Sequence, residues 1–237
     1  MSKPPHAPPL VETAGVEKIY AAGSKVAALK GVDLSIARGE FTALAGPSGS
    51  GKSTLLNLIG TLDQPTKGTV SYEGRVVSGL SVDSLSDFRL RSLGFVFQSY
   101  NLIPVLTAAE NVEYPLVLQD VEPGERRRLA LDALRLVGLE HFGARRPDLL
   151  SGGQQQRVAV ARAIVHRPSL VLADEPTANL DSKTGGHLLD LMEELNKEHG
   201  ITFLFSSHDS AVLERARRVV RLQDGELTAD EVRPDRI

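Results

Sequence analysis

The chain is 237 residues long, 41% hydrophobic and 24% charged, with no cysteine and a formal net charge of −3. Those figures fit a globular protein with a buried core and exclude disulfide scaffolds, cysteine-ligated metals and thiol nucleophiles. They also exclude a global positive field that would collect nucleic acid, and no apolar run reaches the ~20 residues that span a bilayer.

Residues 1–9 carry four prolines and no apolar core. They read as a flexible tail rather than a secretory signal, because proline removes donors and favours extended backbone. Residues 11–20 and 32–36 read as strands; in the second, Val32, Leu34 and Ile36 alternate with Asp33 and Ser35. Arg38-Gly39 supplies a turn, and 41–45 is a short apolar strand that ends at Gly46. A helix is predicted over 53–59, up to Gly60. A strand over 69–72 is followed by a polar stretch through Asp87, and 93–97 is another short strand. Leu129, Ala133, Leu136 and Val137 share one helical face within 125–137, with Gly138 as the stop. A second helix over 154–166 is closed by Pro168. Strands over 170–173 and 201–206 flank a helix over 188–195. Residues 219–222 and 226–228 close the chain as a hairpin about Asp224-Gly225. Strand–helix alternation at both ends predicts a parallel α/β sheet, interrupted by a helical insertion of about 60 residues.

Gly46-Pro47-Ser48-Gly49-Ser50-Gly51-Lys52-Ser53-Thr54 matches the phosphate-loop pattern G-x-x-x-x-G-K-[ST], with a strand before it and a helix after it. The glycines let backbone N–H groups converge on phosphate oxygens, and the helix N-terminus adds partial positive charge. Lys52 can reach the β- and γ-phosphates, and the Ser53 hydroxyl can ligate Mg²⁺. Residues 170–173 lead into Asp174-Glu175, two carboxylates at the carboxyl end of a buried strand. Alone, that is an ordinary acidic strand end. Beside a phosphate loop it reads as a Mg²⁺ carboxylate, Asp174, and a water-orienting one, Glu175.

Leu150-Ser151-Gly152-Gly153-Gln154-Gln155-Gln156-Arg157 is a helix start. Ser151 is a natural N-cap, and Gln154 three residues on completes a capping-box pattern. Two glycines in the first turn cost about 1 kcal/mol each relative to alanine. Bare backbone at a helix N-terminus suits close approach of an anion, and the first loop already cradles one. This second anion site needs another phosphate or another subunit.

Together these segments resemble the ATP-binding cassette (ABC) nucleotide-binding domain, whose signature is Leu-Ser-Gly-Gly-Gln. The resemblance runs from about Val11 to Leu227, with the motifs in the family's order. It implies that Gln98 is the glutamine that senses Mg²⁺ and the transporter subunit. Asp181, in Ala178-Asn179-Leu180-Asp181, falls in the D-loop, and His208 is the switch histidine near the γ-phosphate. Tyr20 matches the aromatic residue that stacks on adenine; a strand-end tyrosine with a structural role is the other reading. Stretches 60–68 and 101–112 look like the branch serving lipoprotein release and macrolide export.

The expected fold is α/β: a phosphate-loop NTPase (RecA-like) parallel-sheet core, an antiparallel β subdomain and an inserted α-helical subdomain. The expected division is a tail over 1–9 and one ABC ATPase domain over 10–237. Within it, core and β subdomain take about 10–97 and 157–237, and the helical insertion about 98–156. The resemblance implies an ATPase with ATP and Mg²⁺, catalytic Glu175, His208, Lys52 and Gln98, and metal-site Ser53, Gln98 and Asp174. It implies a homodimer with two ATPs sandwiched between the phosphate loop of one chain and Ser151, Gly152, Gly153 and Gln154 of the other. Separate integral membrane permease subunits would be driven by that dimer, placing the chain on the cytoplasmic face of the membrane. No nucleic-acid partner is expected. The rival readings are a soluble ABC ATPase acting on DNA or ribosomes, and a regulatory nucleotide switch. The apolar stretch 102–106 either lines a groove for a membrane-subunit helix or fills the core of the insertion.

Overall fold

The computed structural model describes residues 8–22 and 24–233. Most of the expected tail, residues 1–7, lies outside the described residues, and Pro8-Pro9 lead directly into buried Leu10.

Two sheets share one helix. Strands β1 (Val11–Ala22), β2 (Ser24–Ile36), β4 (Lys67–Tyr72) and β5 (Arg75–Val76) form an antiparallel sheet in the order β2-β1-β4-β5. The second sheet runs β10 (Glu226–Val232), β9 (Arg218–Gln223), β3 (Phe41–Ala45), β8 (Thr202–Ser206), β7 (Leu170–Asp174), β6 (Leu93–Phe97). Its strands are parallel except β10, which turns back on β9 through Asp224-Gly225. Both turn residues have positive φ, 51° and 84°, the backbone a tight two-residue hairpin requires.

Helix α1 (Lys52–Ile59) buries Leu55, Leu56, Leu58 and Ile59 in a cluster with Leu44, Leu172 and Leu204 of the parallel sheet and Val11, Val32 and Ile36 of the antiparallel one. Alternation along the central strands sends their other side chains, Ala43, Val171, Phe203 and Phe205, into a second cluster on the opposite face. There they meet α5 (Gly152–Ile164), α6 (Ser182–His199) and the inserted helices α3 (Ala108–Leu118) and α4 (Pro123–Leu136). A short helix α7 (Ser210–Arg215) precedes β9. Parallel strands buried on both faces account for the almost unbroken apolar runs at 41–45, 170–173 and 202–205.

Three elements depart from the sequence reading. The polar stretch before β6 is a helix, α2 (Val82–Ser92), capped by the Ser81 side chain and burying only Leu85. With one buried position it offers no apolar period. Helix α3 starts at a Thr107–Glu110 capping box and contains Pro115, which disguises it. Strand β2 begins at Ser24 rather than Val32. Among the described residues, no helix is long and apolar enough to cross a membrane.

Candidate functional site

The strand order explains how residues far apart in sequence meet. β3, β8, β7 and β6 lie side by side, and their carboxyl ends emerge along one edge. In register there, Leu44 is beside Ser206, Ser206 beside Asp174, and Asp174 beside Phe97. The segments that follow these strands carry the phosphate loop, His208, Glu175 and Gln98 respectively. They surround a cavity of about 530 Å³. Its walls include Ser48, Gly49, Gly51, Lys52, Ser53, Thr54, Gln98, Glu175 and His208. The carboxyl edge of a parallel sheet is where α/β folds bind ligands.

Within the loop, Gly51 has φ 106°, and a Cβ there would stand 2.7 Å from the Ala28 carbonyl oxygen. Only glycine fits. Gly46 opens the loop, and Ser50 turns inward with its hydroxyl buried and unpartnered. Lys52 is 7% exposed, and its ammonium donates to the carbonyls of Gly46 and Pro47 at 2.8 and 3.0 Å. Backbone dipoles thus hold a nearly buried cation at the cavity wall.

Ser53 Oγ, in the cavity wall, donates to Asp174 Oδ1 at 3.1 Å, which brings a hydroxyl and a carboxylate together. Gln98 Nε2 reaches Asn179 Oδ1 at 3.5 Å, while Asn179 Nδ2 donates to the Gln98 carbonyl at 2.9 Å. Ser53, Asp174 and Gln98 offer oxygen ligands only, which suits Mg²⁺ bound jointly by protein and substrate phosphates. Among the described residues no group of three or more His, Asp or Glu forms a self-sufficient metal cage.

Glu175 sits in left-handed backbone, φ 45°, with its N–H donating to the Ser206 carbonyl at 2.9 Å. His208 Nδ1 lies 2.7 Å from its Oε1, and Ser207 Oγ donates to Oε2 at 2.9 Å. Ser207 carries no motif label. Its only signal in the sequence is its place one residue before His208.

The remaining candidates lie elsewhere. Tyr20 does not line the cavity; it is 39% exposed, its hydroxyl donates to Asp63 Oδ2 at 3.0 Å, and the Lys18 ammonium lies 5.0 Å from its ring centre. Burial and the Asp63 hydrogen bond push its hydroxyl above the usual tyrosine range, and Thr54 of the phosphate loop is its neighbour. Ser151, Gly152, Gly153 and Gln154 form the start of α5, also away from the cavity. The capping box forms: Gln154 N–H donates to Ser151 Oγ at 3.3 Å and Ser151 N–H to Gln154 Oε1 at 2.9 Å. Asp181 caps α6, accepting from the N–H groups of Lys183 and Thr184, and hydrogen bonds from Thr184 hold its carboxyl below the usual range. A Cβ on Gly153 would stand 2.4 Å from Thr184 Cγ2. Close packing against α6 therefore requires this glycine, a reason invisible in sequence. Thr184 touches both segments.

Behind α5, a mostly apolar groove of about 460 Å³ is lined by Leu90, Phe95, Phe97, Ile103, Tyr114 and Leu118, with Arg162 and His166 at its wall. The stretch 102–106 divides: Leu102 packs against the core of the insertion, Ile103 faces the groove and Val105 is 70% exposed.

Comparison with known proteins gives concordant results. The ABC transporter family profile matches residues 29–178. The ABC transporter ATP-binding protein MJ0796 of Methanocaldococcus jannaschii is 46% identical over 227 residues, covering 94% of this chain and 97% of that protein. The lipoprotein-releasing system ATP-binding protein LolD of Anaeromyxobacter dehalogenans is 50% identical over 234 residues, covering 95% of each. The macrolide export ATP-binding/permease protein MacB of Nitrosomonas europaea is 46% identical over 227 residues, and there the match covers 34% of the longer protein. A dimeric post-hydrolysis structure of MJ0796 bound to ADP and Pi superposes with a TM-score of 0.87, covering 95% of this chain and 99% of that one.

Proposed function

The chain belongs to the ABC transporter family, and from that premise we propose that it is the ATP-binding, ATP-hydrolysing subunit of an export, lipoprotein-release or mechanical-transmission transporter. The observation that carries this reading is one cavity at the sheet edge whose wall holds Lys52, Ser53 with Asp174 hydrogen-bonded behind it, and the Glu175–His208 pair.

ATP enters as substrate. The loop amides and the α1 N-terminus receive its phosphates, and Lys52 exchanges two carbonyl partners for phosphate oxygens. Glu175 orients a water in line with the γ-phosphorus and takes its proton. The water oxygen bonds to that phosphorus, the bond to the β-γ bridging oxygen breaks, and its electron pair leaves with ADP. Lys52 neutralises charge on the transferring group. His208, with Nδ1 against Glu175, leaves Nε2 facing the cavity for the γ-phosphate. Ser53, Asp174 and Gln98 would hold Mg²⁺, which would supply positive charge against the substrate phosphates.

A cavity that excludes Ser151 to Gln154 leaves the signature segment to act on another nucleotide. Two copies arranged head to tail would present it to each other's phosphate loops, and the dimeric MJ0796 structure supports the pairing of two copies. Tyr20, whose neighbour is Thr54, would support the adenine from outside the cavity wall. The groove along Ile103, Tyr114 and Leu118 offers an apolar seat for a helix of a membrane permease subunit, which would hold the chain at the cytoplasmic face.

The test is phosphate release from ATP by the purified chain and by Glu175→Gln. Turnover that falls at least about 100-fold in the variant, with ATP still bound, is the expected result. A wild-type protein that binds no ATP, or a variant that hydrolyses it at the wild-type rate, would overturn the reading.

A further inference from the structure

Two side chains hold the Glu175 carboxylate, and they differ in kind. The His208 side chain, on Oε1, is 73% exposed. Ser207, on Oε2, has no exposed surface at all. An exposed ring is free to turn; a buried hydroxyl is not.

The hydroxyl is also aimed. Asp209 N–H donates to Ser207 Oγ at 3.1 Å, so one lone pair is taken and the Ser207 hydrogen is left for the carboxylate. Asp209 is braced in turn. Its Oδ1 accepts from Ala211 N–H at 2.9 Å, and its Oδ2 accepts from Thr177 Oγ1 at 2.8 Å. Thr177 lies two residues beyond Glu175. A ring of contacts therefore runs from Glu175 through Thr177, Asp209 and Ser207 back to Glu175. It joins the loop after β7 to the loop after β8. Left-handed backbone at Glu175 is strained for a residue with a side chain and persists only where its surroundings hold it.

We infer that Ser207 is a positioning residue for hydrolysis: its buried hydroxyl keeps the Glu175 carboxylate aimed at the attacking water whichever way the His208 ring turns. The inference rests on the assignment of Glu175 as the group that polarises that water. Ser207 touches no reacting atom and acts through Glu175 alone. Its removal should therefore appear in kcat and leave nucleotide affinity intact.

The experiment uses the full chain and four variants: Ser207→Ala, Ser207→Thr, Glu175→Gln and the double variant Glu175→Gln/Ser207→Ala. Phosphate release from Mg²⁺-ATP gives kcat and KM, and calorimetry gives the Kd for ADP. Ser207→Ala should lose about tenfold or more in kcat with KM and Kd within about twofold of wild type, since a hydrogen bond to a charged group is gone. Ser207→Thr, which keeps the hydroxyl, should recover most of that loss. The double variant should turn over within about twofold of Glu175→Gln, because nothing remains to be aimed. The inference is overturned by a Ser207→Ala kcat near wild type, or by a loss shared equally between kcat and Kd. A Ser207→Thr as slow as Ser207→Ala, or a double variant slower still than Glu175→Gln, overturns it too. Glu175→Gln at the wild-type rate would instead remove the assignment of Glu175 on which it stands.

Discussion

Lys52 shows how much one residue can state in advance. A lysine that is 7% exposed keeps its charge only if acceptors replace water, and here two carbonyls of its own loop do so. Those carbonyls are weak partners beside a triphosphate. Lys52→Ala is expected to lower ATP affinity at least about tenfold and to abolish turnover, read by calorimetry and phosphate release. Melting temperature without nucleotide should hardly change, because the ammonium's partners are its own loop. His166 makes a second residue-scale prediction. Burial pushes its imidazole below the ordinary histidine value, against the opposing hydrogen bond to the Leu93 carbonyl. Its Nδ1 is buried without a partner, so a proton added there finds no acceptor. Above about pH 6.5 the ring is neutral folded or unfolded, and its contribution is level. As the pH falls through that value the unfolded chain takes up the proton first, and stability is lost. Urea midpoints from pH 7 to 5 should fall more for the wild type than for His166→Gln; parallel curves would refute the assignment.

At the scale of elements, legibility followed the source of the signal. β3, β7 and β8 are buried on both faces, so each is an apolar run that sequence alone reveals, and the phosphate loop fixes α1 between them. The Ser151 capping box could be read directly from spacing and forms as written. Helix α2 could not, since Leu85 alone is fully buried and only Phe88 packs beside it on the core. In α3, Pro115 argued locally against a helix that packing against α4 and α5 enforces. The site followed the same division. Every motif residue was visible, but Ser207 and Thr184 act through partners some 30 residues away, which no local pattern encodes. Thr184 yields a prediction. In Gly153→Ala the new Cβ meets Thr184 Cγ2, a stiff branched methyl, and stability should fall by about 1–3 kcal/mol. Adding Thr184→Ser removes that methyl, keeps the hydroxyl that bonds Asp181, and should restore most of the loss. Denaturant titration of both variants decides it: if the double variant is no more stable than Gly153→Ala, close packing is not why the glycine is there. Hydrolysis that stays low in a restored double variant would assign Gly153 an additional part in approach to phosphate.

For the whole molecule, what remains is how two remote sites on one chain cooperate. The cavity holds Lys52, Glu175 and His208, yet Ser151 to Gln154 stand apart at the start of α5. In the proposed head-to-tail arrangement, two chains bring the cavity of one and the Ser151 segment of the other to the same nucleotide. Persistent ATP should therefore hold two copies together. Glu175→Gln keeps the size and hydrogen-bonding capacity of the side chain, and its amide still accepts from Ser207, but the charge that polarises water is gone. The phosphate loop and the Ser53–Asp174 pair are untouched, so ATP binds and stays. On size exclusion this variant should run as a dimer with ATP and as a monomer with ADP or none, while the wild type, which hydrolyses its ATP, should run largely as a monomer throughout. Ser151→Arg then tests which surface makes the contact. The serine is exposed, and a bulky side chain there would stand where the facing γ-phosphate must sit. It also removes an N-cap worth about 1 kcal/mol, a cost the fold can bear. Glu175→Gln/Ser151→Arg should bind ATP as tightly as a monomer does, because its own cavity is intact, and should not dimerise. A dimer indifferent to Ser151→Arg would place the contact on another face. An ATP-loaded Glu175→Gln that stays monomeric would mean that nucleotide alone does not join the two chains, and that the second anion site at the head of α5 serves something other than a partner's ATP.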